Sequence, residues 1–134
     1  MNPQTRVIEE LDRDACLRLL ATQTVGRLAV GRPGRAPHVV PVNYTVLRGT
    51  VVFRSAPGTK LDLLVAEPVS FEADAWNPDG RTGWSVVVEG LAYEASDREM
   101  EVEDLRLDTF VERQDSRWVR LTPDTVTGRR IVRR

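Results

Sequence analysis

The sequence predicts a single, mainly β domain, built as a small and mostly antiparallel β-barrel with two or three short helices. Six or so segments are rich in β-branched and aromatic residues, and most of them alternate between apolar and polar side chains. Turn signals containing glycine, proline or asparagine separate these segments. A length of 134 residues, with 41% hydrophobic and 29% charged side chains, suits one globular domain over residues 1–134.

The first half of the chain predicts a short helix followed by three strands. Residues 1–10 have the pattern of a frayed lead-in, and Asp12 is the expected N-cap of the helix. The apolar face of that helix is formed by Ala15, Cys16, Leu19 and Leu20. Strands are then expected over residues 24–30, over residues 36–47 and from residue 50, with turns at 32–35 and 48–49.

Two prolines interrupt the strand predicted over residues 36–47. Its alternate residues Val40, Val42, Tyr44 and Val46 share one face, whereas Pro37 and Pro41 lie on the other. Each proline removes one main-chain donor from the strand. This indicates an edge strand, a bulge, or a strand whose free main-chain groups face something other than a neighbouring strand.

The second half predicts a helix with Thr59 as its N-cap and an apolar stripe of Leu61, Leu64 and Val65. Strands follow over residues 68–76 and 81–95, then a helix from residue 96 with Met100, Leu105 and Leu107, then strands over 117–122 and 125–132. Residues 86–88 place valines on both faces of one strand. The outer face of that strand must therefore be covered by a helix or by a partner subunit.

Composition excludes several classes of function. A net charge of −1 argues against a nucleic-acid-binding or membrane-surface protein. The single Cys16 excludes an internal disulfide and is expected to be a packed thiol, and the single His38 excludes a histidine-based metal site. We find neither a signal peptide nor an apolar run long enough for a membrane span, which predicts a cytoplasmic protein.

The C-terminal segment is basic. Residues 117–134 carry six arginines against Asp124 alone. Such a tail could be an anion-binding arm, but its single aromatic residue, Trp118, is not the repeated aromatic interleaving of nucleic-acid-binding segments. We favour a charged tail that pairs with the acidic segment 94–115 or stays solvated.

The turn after residue 53 gathers groups that suit an anion. Arg54, Ser55, Thr59 and Lys60 supply two cations and two hydroxyls around the amide of Gly58. Lys60 falls in the first turn of the predicted helix, where the helix dipole disfavours a cation unless an anion is bound. From the residues alone, a phosphate site and an ordinary solvated turn both remain open.

Five segments in this order resemble the pyridoxamine-phosphate-oxidase-like family of flavin-binding split barrels, and its short, nitroimidazole-reductase-like branch in particular. The segments are Val25–Leu28, Pro37–Tyr44, Val52–Leu61, Gly83–Gly90 and Val126–Arg130. The resemblance implies a split β-barrel that forms a homodimer, with two FMN sites in the interface. Arg54 departs from the histidine that is often found there in the nitroimidazole-reductase-like members.

The resemblance also implies which residues hold the cofactor. Arg54, Ser55, Thr59 and Lys60 would bind the flavin phosphate. The strand segment Val40, Pro41, Val42 and Asn43 would lie along the isoalloxazine ring, largely through main-chain groups. Trp84 and Ser85 would contact the ring and the ribityl chain, and Arg129 and Arg130 are further candidates for closing the site.

These expectations favour an FMN-dependent oxidoreductase that acts on a small organic substrate. No catalytic side chain and no metal ligand is named, because the sequence contains no suitable constellation. A deazaflavin coenzyme, or haem, is bound in place of FMN by some relatives, so a deazaflavin-dependent reductase is one alternative. A non-catalytic cofactor-binding or sensor protein with the same barrel is the other.

Overall fold

A computed structural model of the chain describes residues 5–101 and 116–134, apart from the side chains of Thr59, Lys60 and Glu101. The predicted mainly β architecture is confirmed, because the described residues form seven strands and three short helices. In chain order these are β1 (Arg6–Leu11), α1 (Arg13–Leu20), β2 (Val25–Arg32), β3 (Arg35–Leu47), β4 (Thr50–Ser55), α2 (Thr59–Ala66), β5 (Val69–Asn77), β6 (Thr82–Ala95), α3 (Asp97–Glu101) and β7 (Arg117–Arg133).

Six strands close into an antiparallel barrel of the split-barrel type. The order around the ring is β7, β4, β3, β2, β5 and β6, and β6 pairs again with β7. One edge of the 17-residue β7 pairs with β6. The other edge pairs with two strands, β4 at the beginning of β7 and β1 at its end. Closure removes most of the free strand edges that an open sheet would expose.

The structure corrects two predictions about strands. Residues 1–10 are not all a frayed lead-in, because β1 pairs with β7 from Arg6↔Arg133 to Leu11↔Gly128. The two strands predicted over 117–122 and 125–132 form one continuous strand. It passes Pro123 by a register shift opposite Gly90, where an extra residue is accommodated in the ladder.

The barrel interior is filled by one face of each strand. Tyr44, Phe53 and Phe71 are the largest fully buried side chains of the core. The rings of Tyr44 and Phe71 pack edge to face, with centroids 4.8 Å apart. The hydroxyl of Tyr44 donates to the carbonyl oxygen of Leu20 at 2.5 Å, which ties the end of α1 to the barrel.

Tyr44→Phe should lower the free energy of unfolding by about 1–3 kcal/mol, because it leaves the carbonyl of Leu20 without this donor. Urea unfolding followed by circular dichroism measures the change. Tyr93→Phe is the matched control, since the hydroxyl of Tyr93 bonds to the side chain of Glu99 at the exposed surface. Equal losses in the two variants would contradict the assigned role of the buried hydroxyl.

The helix ends agree only in part with the sequence. Asp12 caps α1 as predicted, with its Oδ1 accepting from the amide of Ala15 at 2.8 Å. The N-cap of α2 is Gly58 and not Thr59. Gly58 has a φ of +133°, outside the helical region, and the helical backbone begins at Thr59. The predicted stripe of α2 is also corrected: Leu61 and Leu64 are buried, but Val65 is 41% exposed.

Helix α3 covers part of the outer side of the barrel. Its Met100 packs with Val52 and Ala95 in a small second cluster, against which Trp118 also lies. Helix α3 thus covers the outward side of β4 at Val52. The predicted helical positions Leu105 and Leu107 lie outside the described residues.

Candidate functional site

The first half of β3 has a strand on only one of its edges. It pairs with β2 from Arg35 to Asn43, whereas its pairing with β4 begins only at Tyr44↔Phe53. The amide of Tyr44 donates to the carbonyl of Thr24, next to β2. Because antiparallel ladders alternate, the odd-numbered residues from 37 to 43 direct their main-chain groups toward the edge that lacks a ladder in the described chain.

This edge explains the two prolines. Pro37 and Pro41 are odd-numbered and exposed, so their missing donors face the unpaired edge and cost β2 no ladder bond. Asn43 is the last odd-numbered residue of this stretch, and its side chain leans toward β2. Its Oδ1 is buried and has no hydrogen-bond partner, while its Nδ2 is 3.5 Å from the carbonyl of Thr24. An orphaned buried acceptor is costly unless a ligand or water satisfies it.

The predicted phosphate ligands lie where β3 and β4 separate. Arg54 is on the outer face of β4, with its guanidinium 4.5 Å from the centroid of the Trp118 ring. Its Nε donates to Ser116 Oγ at 2.7 Å and its Nη2 to the Ser116 carbonyl at 2.9 Å. Ser55 is 8% exposed on the interior side, and its Oγ donates to the carbonyl of Ala56 at 3.2 Å. Arg54 and Ser55 therefore point to opposite faces of the strand.

The remaining two predicted phosphate ligands begin the next helix. Thr59 and Lys60 are the first two residues of α2, directly after Gly58. Their side chains lie outside the described part of the structure, so their contacts stay predictions. The backbone of α2 begins four residues after Ser55, and the helix packs against β2 and β6.

The two predicted ring contacts on β6, Trp84 and Ser85, point to opposite faces of that strand. Trp84 packs against the interior core, whereas Ser85 is directed outward. Val40 and Val42 on β3 likewise belong to the interior side, while Pro41 is exposed on the outer side. The structure thus brings Pro41 and Ser85 to one surface and turns the valines and the tryptophan away from it.

We call this surface the outer face: the outward side of β2, β5 and β6 with the adjoining parts of β3 and β7. One row of cross-strand neighbours contains Pro41, Arg27, Glu72, Val87 and Thr127. The next row contains Asp74, Ser85 and Arg129. Charged and polar groups therefore lie between the unpaired edge of β3 and the predicted contact on β6.

Sequence reasoning missed the charged group at the centre of the outer face. Arg27 Nη1 lies 3.4 Å from Glu72 Oε1 and 3.3 Å from Asp74 Oδ1. Partial burial, followed by the hydrogen bond and the negative charge of Asp74, raises the pKa of Glu72 to about 7, although Arg27 acts in the opposite direction. The available signal was the alternation of charged with apolar residues in segments 25–30 and 69–75.

The raised pKa of Glu72 should make stability depend on pH. The folded chain keeps the Glu72 proton between an ordinary value of 4.5 and about 7, where the unfolded chain has lost it. The stabilisation is complete below the lower value and is lost as pH rises through the upper one. Urea midpoints at about pH 5 and about pH 8 should therefore differ less in Glu72→Gln than in the wild type.

The exposed Glu89 provides the control for that measurement. It lies on β6 at the same outer face, opposite Ser70. Glu89→Gln should retain the pH dependence of the wild type. A wild-type difference between the two pH values that survives unchanged in Glu72→Gln would contradict the assignment.

Two cavities open on the outer face, with volumes of about 390 and 410 Å³. Both are lined by Ser85 and Arg129, which separate them. The larger is mostly apolar and is bordered by Ile8 and Trp76. Arg129 makes no ion pair within the described residues, so its guanidinium is available to a ligand at this place.

The other C-terminal arginines are largely paired with carboxylates. Glu9 on β1 forms ion pairs with both Arg130 and Arg134, and Glu94 pairs with Arg117. Among the described residues only Arg117 pairs with the acidic segment 94–115 as predicted, and the other two ion pairs go to Glu9, a partner that the sequence did not suggest. Arg130, a further candidate for closing the site, is thus committed to β1.

Two further structural findings concern the described residues. They contain no group of three or more histidine, cysteine, aspartate or glutamate side chains arranged to hold a metal ion. Among the helices of the same residues, none combines the length and the apolar composition needed to cross a membrane.

Comparison with known proteins gives consistent matches. The family model described as pyridoxamine 5′-phosphate oxidase matches residues 12–130. The uncharacterized protein Rv0080 of Mycobacterium tuberculosis is 40% identical over 139 residues, covering 98% of this chain and 91% of that protein.

Two solved structures share the fold over nearly the whole chain. The FAD-binding protein of Mycobacterium smegmatis is 32% identical with a TM-score of 0.73, covering 92% of this chain and 98% of that one. An FAD-binding protein of Mesorhizobium loti is 25% identical with a TM-score of 0.79, covering 96% and 99%.

Proposed function

The chain belongs to the pyridoxamine 5′-phosphate oxidase family, and on that premise we propose that it is a flavin-binding oxidoreductase that acts on a small organic substrate, with FMN as its cofactor. Two solved relatives are FAD-binding proteins, which supports a flavin. A shared fold alone does not establish function, so the proposal depends on the residues of the site.

The observation that carries the proposal is the unpaired edge of β3. An isoalloxazine ring presents hydrogen-bond donors and acceptors along one edge, and it needs main-chain partners in a matching row. Each odd-numbered residue of β3 from 37 to 43 offers a main-chain carbonyl at this edge, whereas N–H donors remain only at Val39 and Asn43, and the orphaned Oδ1 of Asn43 adds a buried acceptor. These groups fit the ring, with Val40–Asn43 as the strand that would hold it.

The phosphate end of the cofactor would lie at the start of α2. Arg54 has five N–H donors, and Ser116 receives two of them, so three remain for an anion without loss of the contacts with Ser116. The first amides of α2 and the helix dipole favour negative charge at the same place. Thr59 and Lys60 are the proposed side-chain ligands from the helix.

When bound, the flavin would supply the hydride or electron chemistry, and the protein would supply binding and orientation. In the proposal, β3 holds one edge of the ring and Ser85 approaches from β6. The two cavities beside Ser85 leave room for a small substrate on the outer face. Arg129, between these cavities, would orient an anionic group of that substrate.

We further propose that the active form is a homodimer. The outer face exposes apolar side chains that a lone barrel leaves in water: Val39 on β3 is 61% and Trp76 on β5 is 57% exposed. Val87 lines the smaller of the two cavities. A second copy covering this surface would gain roughly 25 cal/mol for each Å² of apolar area buried, and a twofold dimer needs only one self-complementary patch.

Arg54→Ala and Lys60→Ala should each weaken FMN binding by roughly 10- to 100-fold, which corresponds to the loss of one charge-assisted contact of about 1.5–3 kcal/mol. Quenching of flavin fluorescence measures the dissociation constant. Arg18→Ala, an exposed arginine of α1, is the control. Unchanged affinity in both variants would remove the phosphate assignment.

Turnover separates an enzyme from a carrier. The FMN-loaded protein is mixed with reduced nicotinamide and a panel of small acceptors, and flavin absorbance is followed anaerobically. We expect reduction of the bound flavin and its reoxidation by at least one acceptor. Bound flavin that is neither reduced nor reoxidised by any of them would instead support the non-catalytic alternative.

A further inference from the structure

The larger cavity of the outer face is bounded by one row of cross-strand neighbours. Ile8 on β1 is opposite Ile131 on β7. The row continues with Gly83 on β6 and Trp76 on β5, and all four residues line the cavity. It is the last outward row before the turn at residues 78–81. Because Ile8 is 62% and Trp76 is 57% exposed, the cavity has an apolar wall that is open to ligands.

Gly83 determines where the indole of Trp76 lies. A Cβ at residue 83 would lie 2.8 Å from Cε3 of Trp76 and 2.4 Å from the carbonyl oxygen of Ala75. The indole therefore occupies the space that any other side chain at residue 83 would need, as when a cross-strand aromatic ring covers a glycine. Gly83 has no positive φ, so its backbone conformation does not itself require glycine. An indole that is supported by the strand on one side and exposed on the other can stack with a second planar ring.

A guanidinium lies beside this indole. Arg129, in the neighbouring row, lines the same cavity and is exposed. Glu10 is opposite it on β1, but Arg129 makes no ion pair with any residue that the structure describes. Asp74, the carboxylate that also lines the cavity, is instead 3.3 Å from Arg27. The charges of the cavity therefore favour an anionic ligand, which a guanidinium binds through charge-assisted hydrogen bonds.

We propose that this cavity binds a small planar aromatic anion of one or two rings, with its ring stacked on Trp76 and its negative group at Arg129. Its volume of about 410 Å³ is near the lower end of the range for ligand pockets, roughly 300–1,000 Å³, which suits a ligand of that size. Ser85, the predicted flavin contact on β6, lines the same cavity, so the ligand would lie next to the cofactor. The inference rests on the proposed function in naming the substrate class, which is an aromatic carboxylate or a similar anion.

The test measures binding and does not depend on turnover. Naphthoate, a two-ring aromatic anion, is titrated by calorimetry into the protein saturated with FMN and into the flavin-free protein. We expect saturable binding in both, weakened roughly 10- to 100-fold in Arg129→Gln by loss of a charge-assisted contact. Trp76→Leu should weaken it roughly 3- to 10-fold by loss of ring stacking. Trp76→Phe, which keeps an aromatic face, and Arg18→Gln, at an exposed arginine of α1, should retain most of the affinity.

An uncharged probe separates the contribution of Arg129 from that of the ring. Naphthylmethanol has the same two rings without the negative charge, so it should bind the wild type more weakly than naphthoate and lose nothing further in Arg129→Gln. NMR of the indole N–H groups locates the ligand, because the chain has three tryptophans. The resonance that naphthoate shifts most should be the one missing from Trp76→Phe.

Each outcome decides one claim. Absence of saturable naphthoate binding, equal affinity for the two probes, or unchanged affinity in both Arg129→Gln and Trp76→Leu overturns this inference and leaves the flavin proposal intact. Displacement of naphthoate by FMN also overturns it, because the cavity would then belong to the cofactor. Failure of the wild type to bind FMN refutes the proposed function instead, and the titration of the flavin-free protein then decides the inference alone.

Discussion

Gly90→Ala should lower the free energy of unfolding by about 3 kcal/mol, at the upper end of the range for overpacked sites. A Cβ at Gly90 would lie 2.1 Å from the carbonyl oxygen of Thr122 and 3.0 Å from the amide of Asp124. Both are main-chain atoms of β7, so the steric conflict cannot be relieved by a change of side-chain rotamer. The substitution must distort the register shift by which β6 and β7 close the barrel.

Gly31→Ala is the matched control for this prediction. A Cβ there would meet nothing within 4 Å, and the residue needs no positive φ. Its unfolding midpoint in urea should stay within about 0.5 kcal/mol of the wild type. Equal effects of the two substitutions on the free energy of unfolding would contradict the steric conflict assigned to a Cβ between β6 and β7.

Val87→Asp should dissociate the dimer and release the cofactor together. A carboxylate in the proposed interface would be buried without a partner, which costs about 3 kcal/mol or more, or roughly a hundredfold in the dimer dissociation constant. Sedimentation at micromolar concentration measures association, and flavin absorbance in the same cell reports bound cofactor. Linkage requires both to change together, because binding that needs the dimer also stabilises it.

Val87→Thr provides the comparison, since it keeps the shape of the side chain without a charge. It should retain most of the dimer and of the flavin, whereas Val87→Asp should lose both while its circular dichroism stays that of a folded barrel. A monomeric wild type that still holds flavin would contradict the proposed homodimer.

Local signals predicted most of the fold. The Asp12 cap, the turns at 32–35 and 48–49 and the alternation of β5 and β6 depend on neighbours within a few residues. The errors arose where the partner is distant in sequence. Arg6–Leu11 contains only a few alternating residues, and this strand exists because the end of β7 pairs with it across more than 110 residues. The continuity of β7 past Pro123 likewise depends on the opposing bulge.

The site was less accessible to sequence reasoning. Pro37 and Pro41 correctly indicated main-chain groups without a strand partner, because a missing donor is a local property. Alternation along each strand already puts Arg54 and Ser55, and likewise Trp84 and Ser85, on opposite faces, but the ladder was needed to show which of the two faces lines the barrel interior. The group of Arg27, Glu72 and Asp74 comes from two strands 45 residues apart, and no motif connects them.

Identification of the bound cofactor is the most direct test of the central claim, which is that the chain binds a flavin. The protein is purified without added flavin and denatured, and the released small molecules are identified by mass and absorbance. Stripped protein is then titrated with FMN, FAD and a deazaflavin. The account predicts a released flavin and saturable binding of one FMN per chain. Release of FAD or deazaflavin would change the identity of the cofactor, whereas no released flavin and no binding of any of the three would contradict the account.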